Sequence, residues 1–390
     1  MAIREVKLGK VATVKGGKRL PKGINLITKP NPHPYIRVRD LNGKKTLELD
    51  GSFEFVDDET QKAISRYIVT GGDIVLSIVG TIGLVSVVGD SLNEANLTEN
   101  CVKLTSLSGI DRDYLYYYLK SSYGQQEIAR GTVGAVQAKL PIKNIQDISI
   151  PLPDEVTQRK IADILSSLDA KIEVNQRIND NLQQQAAALF SSLYDRTNTE
   201  VRFTDLIQIL GGGTPKTGEN TYWNGNIAFF TPKDVGTPYT LSTEKTITEE
   251  GLSHCNSRLY PVNTVFVTAR GTVGKVGMSG VPMAMNQSCY ALVGKETHQL
   301  LVYFYTLKTV DRLKHKASGA VFDAITTRDF ESEQIMKLSD EDAKSFLCIA
   351  APMFQKVLDN GIENQRLSTL RDSLLPKLMS GEIDVSAVQL

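Results

Sequence analysis

A chain that contains itself twice has little freedom in its fold, because each copy must bury its own core and whatever joins them must suit both. The 390-residue sequence carries such a repeat, with a period near half its length. IRVRDL, with Arg39 and Asp40, recurs as FTPKDV, with Lys233 and Asp234, at an offset of 194. GTIG from Gly80 recurs as GTVG from Gly271, at 191, after the apolar runs DIVLSIV and TVFVTAR. The order continues through YYYLK and FYTLK, ending at Lys120 and Lys308 (188), GAV at Gly134 and Gly319 (185), and NQR at Asn175 and Asn364 (189). Drifting offsets mean small loop insertions between duplicated domains.

With 41% hydrophobic and 23% charged residues, the composition is that of globular domains and excludes disordered and collagen-like chains. One stretch, Ile74 to Gly89, has sixteen residues without a charge. A membrane span needs roughly 20, and Gly80 and Gly83 among β-branched residues predict a buried strand, a turn and a second strand. The second copy carries Arg270 and Lys275 where the first has Val79 and Leu84, charges that a duplicated span would not hold. The start, MAIREVKLGKVA, has no apolar core for a signal peptide. Cys101, Cys255, Cys289 and Cys348 form no CxxC pair, so neither a disulfide framework nor a zinc site is suggested and a reducing cytoplasm is expected.

Each half has the same texture: about 150 residues dense in Gly, Pro, Thr and short β-rich runs, then a helical region. Glu155 to about Asp195 lacks Gly and Pro, which predicts a helix of roughly 60 Å. Alternating steps of four and three give Ile161, Leu165, Leu168, Ile172, Asn175, Asn179, Leu182, Ala186, Leu189 and Leu193, a coiled-coil seam. A poorer seam runs through Phe346, Ala350, Met353, Val357, Asn360, Asn364, Leu367, Arg371, Leu374 and Leu378. Pro352 is expected to open or kink the second helix and Pro376 to bend or end it. Matching asparagines favour pairing, since a buried Asn fixes register at a cost in stability; two unrelated amphipathic helices are the alternative.

Catalytic signatures are missing. GGGTPKTG from Gly211 lacks the spacing of a phosphate-binding loop. NPHPY from Asn31 is interrupted by His33 for an adenine methyltransferase motif and follows no cofactor-binding glycine loop. His33, His254, His298 and His315 show no metal-ligand spacing, and no spacing singles out a carboxylate cluster.

Charge is polarised although the net is zero: residues 1–50 hold twelve Lys or Arg against four Asp or Glu. VKGGKRLPKG sets Lys15, Lys18, Arg19 and Lys22 on a glycine-bearing loop, and Arg37 and Arg39 follow. The second repeat offers Lys216, Lys233, Arg270, Lys275 and the cluster Lys308, Arg312, Lys314, His315 and Lys316. Cations on Gly-rich loops suit phosphate neutralisation and base reading; a solvated basic surface is the bland alternative.

IPLPDEVTQRKIADILSSLDAKIEVNQRINDNLQQQAAALFSSLYD, from Ile150, resembles the central conserved region of type I restriction-modification specificity subunits. LRDSLLPKLMSGEIDV, from Leu370, is similar to the family's C-terminal region, and TPKDV, VTARGTVGKVG and PMAMNQSCYALV resemble its target recognition domains. The resemblance covers essentially the whole chain. It implies an α/β (α+β) fold: recognition domains over residues 1–153 and 199–339, and conserved helices over 154–198 and 340–390 that form an antiparallel coiled coil in a pseudo-twofold arrangement. It further implies a non-catalytic subunit that chooses the DNA site. Each domain would read one half of a split sequence. The helices would dock two methyltransferase subunits, using S-adenosylmethionine, and a restriction subunit if present, using ATP and Mg; no cofactor of its own and no membrane are expected.

Carried onto this sequence, DNA-facing residues in the first half are Lys15, Lys18, Arg19, Lys22, Arg37, Arg39, Asp40, Thr81, Thr132 and Gln137. In the second they are Thr214, Lys216, Lys233, Asp234, Arg270, Thr272, Asn286, Gln287, Lys314 and Ser318. Helix pairing and methyltransferase docking fall to Ile161, Leu165, Leu168, Ile172, Asn175, Leu182, Leu189, Met353, Val357, Asn364, Leu367, Leu374 and Leu378. About 28 paired helical residues span roughly 40 Å, or about a dozen base pairs. A stand-alone nuclease with the same domains, and a protein scaffold without DNA, are the competing readings. For any Thr or Gly of GTxG, a tight turn is the simpler role.

Overall fold

In the computed structural model, residues 4–41, 43–134, 136–236, 238–316 and 324–385 are described. The chain divides into two compact units, Met1–Ile172 with Arg366–Leu390, and Glu173–Gln365. Both boundaries fall inside long helices, Glu155–Tyr194 and Asp340–Ser380. Each unit therefore owns part of both helices, rather than the helices standing apart.

The first unit holds a five-stranded sheet in the order Thr13–Gly16, Cys101–Thr105, Ile74–Ser77, Val85–Val88 and Thr46–Leu47. A three-stranded sheet orders Glu54–Phe55, Pro34–Ile36 and Asn96–Leu97, and Arg4–Lys7 pairs with Ser149–Leu152. The second unit repeats this topology: Ile207–Gly211, Cys289–Gly294, Val265–Thr268, Val276–Ser279 and Tyr239–Thr240, then Lys245–Ile247, Trp223–Phe230 and Met283–Met285. In both units the last strand of each sheet runs parallel to its neighbour. The uncharged run is the antiparallel hairpin Ile74–Ser77 and Val85–Val88 at the centre of its sheet, which is why both faces read as apolar. Among the described residues no helix is long and apolar enough to cross a membrane.

Each unit packs its own core on the helices. In the first, Leu76, Val102 and Leu115 join Ile161, Leu165, Leu378 and Met379; in the second, Val265, Leu292 and Phe304 join Ala186, Phe190, Phe346 and Phe354. Within each unit the helix segments run antiparallel, as hydrogen bonds record. In the first, Arg371 Nη1 meets Asp169 Oδ1 at 2.5 Å, and nearer the start of the first helix Lys160 Nζ donates to Val385 O, just past the end of the second, at 3.3 Å. In the second, Asn175 donates to Asn364 at 2.9 Å and Asn360 to Asn179 at 2.8 Å. The asparagines of the two NQR copies, Asn175 and Asn364, thus meet each other, and Asn179 and Asn360 add a second amide pair one turn away. Asn175 and Asn360 are buried, and the Oδ1 of each lacks a partner, the cost that a register-fixing polar pair carries.

Of the seam residues, Ile161, Leu165, Asn175, Val357 and Leu378 are buried, while Leu168, Ile172, Leu182, Leu189, Met353, Asn364, Leu367 and Leu374 are half-buried. The prolines depart from expectation. The second helix opens at Asp340, twelve residues before Pro352, and runs through Pro376 to Ser380. Proline strips a donor from the carbonyl four residues earlier, here Cys348 and Asp372. Both residues are exposed, so water can take the vacant bond.

All four cysteines are free; Cys101 and Cys289 are fully buried on equivalent strands. Burial pushes both thiols up to about 12, with nearby carboxylates adding to the shift. Thiol titration of the native chain is expected to consume the exposed Cys348 quickly and half-buried Cys255 more slowly, with Cys101 and Cys289 reacting only on unfolding. Rapid modification of four thiols in the native chain would contradict this packing.

Candidate nucleic-acid interface

In each unit the ends of four elements are tied together by the same backbone hydrogen bonds. Lys18 N donates to Leu97 O at 2.8 Å, Thr98 N to Ile36 O at 3.0 Å, and Ile78 N to Asn100 O at 2.8 Å. In the second unit Gly213 N donates to Met285 O at 3.1 Å, Asn286 N to Phe230 O at 3.0 Å, and Ala269 N to Ser288 O at 2.8 Å. A fifth segment joins through Leu140 N to Ile78 O at 3.0 Å, matched by Ile325 N to Ala269 O at 2.9 Å. The loops expected to face DNA therefore converge within each unit.

The GTxG motifs are the hairpin turns of this cluster. Gly80, Gly83, Gly271 and Gly274 all have positive φ, between 74° and 92°, where a side chain would strain the backbone. Each turn is closed by a hydroxyl at the preceding strand end. Ser77 donates to Thr81 O and accepts from Leu84 N, and Thr268 donates to Thr272 O and accepts from Lys275 N. Thr81 and Thr272 are exposed at the tips.

The recurring Asp has a local structural task. Asp40 is buried and accepts from Arg37 through the backbone N at 2.7 Å and through Nε and Nη2 at 2.9 and 3.0 Å. Asp234 accepts from Thr231 N at 2.8 Å and Thr231 Oγ1 at 2.6 Å. Both carboxylates close a turn, and Arg37 is committed to Asp40 and Glu54. The neighbouring cations point outward: Arg39 is 64% exposed with Glu54 at 2.8 Å, and Lys233 is 81% exposed with Glu244 at 3.8 Å.

Among the other cations, Lys15 lies on the strand Thr13–Gly16 rather than in a loop, with its side chain exposed. Lys18, which lies over the Tyr67 ring at 5.7 Å, and Lys22 are exposed on the loop that follows. Arg19 pairs with Glu99 at 2.6 Å. Burial tends to raise the Glu99 pKa, but the bond from Arg19 and its own backbone amide outweigh this and lower it. Thr214 bonds to Gln287, Asn286 Oδ1 accepts from Ser288 N at 3.1 Å, and Lys216 and Arg270 are exposed.

Thr132 is turned inward, its hydroxyl donating to Ile128 O at 2.8 Å, whereas Gln137 is exposed. Lys314 runs across the GTVG turn, its Cε lying 2.6 Å from where a Cβ on Gly274 would sit. Its counterpart in the first unit is Gln125, donating to Gly83 O at 3.0 Å, which sequence reasoning did not single out. Part of the basic cluster faces inward: Lys316 and Arg312 both flank the buried carboxylate of Glu333. Ser318 lies outside the described residues. Among the described residues no group of three or more His, Cys, Asp or Glu comes together as a metal centre.

Two copies of one α/β scaffold, each ending in a cluster of polar and cationic loops, define a protein with two equivalent loop surfaces. The family described as type I restriction modification DNA specificity domain matches this chain over residues 3–184 and again over 196–339, and the chain belongs to that family. It is similar to the type I restriction enzyme MjaIX specificity subunit of Methanocaldococcus jannaschii, 22% identical over 379 residues, covering 90% of this chain and 87% of that protein. It is also similar to the HindI specificity subunit of Haemophilus influenzae, 24% identical over 326 residues, 63% of this chain and 71% of that protein. The crystal structure of a type I restriction-modification S subunit from M. genitalium shares the fold, with a TM-score of 0.59 at 17% identity over 97% of this chain and 96% of that one.

Proposed function

We propose that this chain is the sequence-specificity subunit of a type I restriction-modification complex, without catalysis or a cofactor of its own. Each unit reads one half of a bipartite double-stranded DNA site through its loop cluster. The long helices dock two adenine methyltransferase subunits, which bring S-adenosylmethionine, in the cytoplasm; a restriction subunit, where present, brings ATP and Mg. The observation that carries this reading is the duplication itself: one hydrogen-bonded loop framework built twice with different side chains on it. One framework presenting two surfaces is what a reader of an asymmetric, two-part sequence requires. Phosphate contacts set the register and base edges supply the choice. The target adenine must leave the stack to reach a methyltransferase, so the chain's task is to place it.

Coexpression with a type I methyltransferase subunit, followed by mapping of methylated adenines, tests this. A split motif with a fixed gap, changing in one half when residues 1–150 are exchanged, is the expected result. Unmethylated DNA with no stable complex would refute it. Arg39→Ala and Lys233→Ala are each expected to weaken DNA binding and to reduce the salt slope by about one, with the double charge reversal worse. Affinities unchanged across the three variants would remove both residues from the interface.

A further inference from the structure

The shared framework gives a residue-by-residue correspondence that sequence offsets alone blur. Gly17 and Gly212 both pack against the backbone of the facing turn, at Leu97 and Thr98 in one unit and Met285 and Asn286 in the other. Two residues on, Arg19 occupies the position of Thr214; on the facing turn, Glu99 occupies that of Gln287. In one unit the two positions are joined by an Arg Nε to carboxylate bond at 2.6 Å, and in the other by a Thr hydroxyl to Gln Oε1 bond. The same two backbone positions thus reach toward each other in both units, with different hydrogen-bonding chemistry.

The fold does not require the difference. The backbone bonds beneath are the same, and Arg19 is 81% exposed, so its ion pair contributes little to stability. We propose that these pairs are equivalent base-reading positions. Arg19, held by Glu99, reads the guanine of a G·C pair, and Gln287, oriented by Thr214, reads the adenine of an A·T pair. The inference rests on the DNA-reading function proposed above. Glu99 engages Nε, leaving the terminal nitrogens of the fork to donate to guanine O6 and N7. The Thr214 hydroxyl donates to one lone pair of Gln287 Oε1; the second can accept from adenine N6 while Nε2 donates to N7. Glu99 and Thr214 are positioning residues.

The test is motif mapping with the full chain in its methyltransferase complex. R19T/E99Q is expected to shift one base pair of one half-site from G·C toward A·T, with discrimination changing by roughly 5- to 150-fold. T214R/Q287E is expected to make the converse change in the other half. In each case the untouched half stays as in the parent chain, which reports an assembled complex. Arg19→Lys keeps the charge on an exposed side chain but loses the fork, and is expected to relax that one base pair. A motif unchanged in all three variants, or modification reduced equally at every sequence, would overturn the assignment while leaving the specificity function intact. A parent chain that directs no bipartite methylation would instead defeat the underlying reading.

Discussion

A methyl group added at Gly17 is expected to relax reading of one half-site and leave the other as it was, and the same change at Gly212 to do the reverse. A Cβ on Gly17 would lie 2.0 Å from Thr98 O and 2.4 Å from Leu97 O; one on Gly212 would lie 2.3 Å from Asn286 O and 2.5 Å from Met285 O. These are backbone atoms, so no side chain can swing aside. The loop must lift off, breaking Lys18 N to Leu97 O in one unit or Gly213 N to Met285 O in the other. A forced backbone shift with a lost hydrogen bond costs about 2–4 kcal/mol. It falls at a loop end rather than in the cores around Ile161 and Phe190, so the unit is expected to stay folded. The displaced bidentate base contact, at about 1–3 kcal/mol, corresponds to a loss of roughly 5- to 150-fold in discrimination at that base pair. Methylation mapping of Gly17→Ala and Gly212→Ala, with melting temperature as the control for folding, reads this. Both half-sites retained at parental stringency would show that these loops do not carry the choice.

Those glycines illustrate how far the sequence could be read. The duplication, the long helix from Glu155 and the hairpin hidden in the uncharged run were legible, because periodicity and self-similarity leave marks that survive substitution. The order of strands was not. Thr46–Leu47 and Glu54–Phe55 are two-residue strands, too short to show alternation. The acidic partners Glu54, Glu99 and Glu244 carry no motif, since an ion pair between distant segments is set by tertiary approach. Asp40 and Asp234 recur with a cation before them, and in both units the carboxylate closes a turn. A turn that needs a carboxylate is sufficient to preserve the Asp, while the cation beside it is exposed. Alignment of the repeats sets Glu99 opposite Asn286-Gln287 and points to different base preferences in the two halves, but nothing in the sequence shows that Glu99 holds Arg19.

Phe190→Ala is expected to produce the largest loss of stability among single substitutions considered for the second unit. The ring is 1% exposed on the first long helix, with Phe304 at 4.9 Å between centroids and Tyr194, Tyr305 and Phe346 each at 5.5 Å. One side chain therefore joins both long helices to the helix Gln299–Lys316, in the core shared with the sheet whose loops are proposed to read DNA. Truncating a buried Phe costs about 3–5 kcal/mol through lost burial and the cavity left behind, and a ring with this many aromatic neighbours belongs toward the upper end. For a unit of this size, that corresponds to a fall of roughly 6–20 °C in its melting temperature. The repeat places Met379 at the equivalent position in the first unit, where it is also buried. Met379→Ala is expected to cost about 2–5 kcal/mol there. Calorimetry of the full chain should show each substitution lowering the transition of its own unit. A shift below about 2 °C for Phe190→Ala would mean that the aromatic cluster is not what holds the helices to the second sheet. Because recognition loops hang from that sheet, warming the Phe190→Ala complex should first erode discrimination in the half-site read by the second unit, with the other half holding to higher temperature.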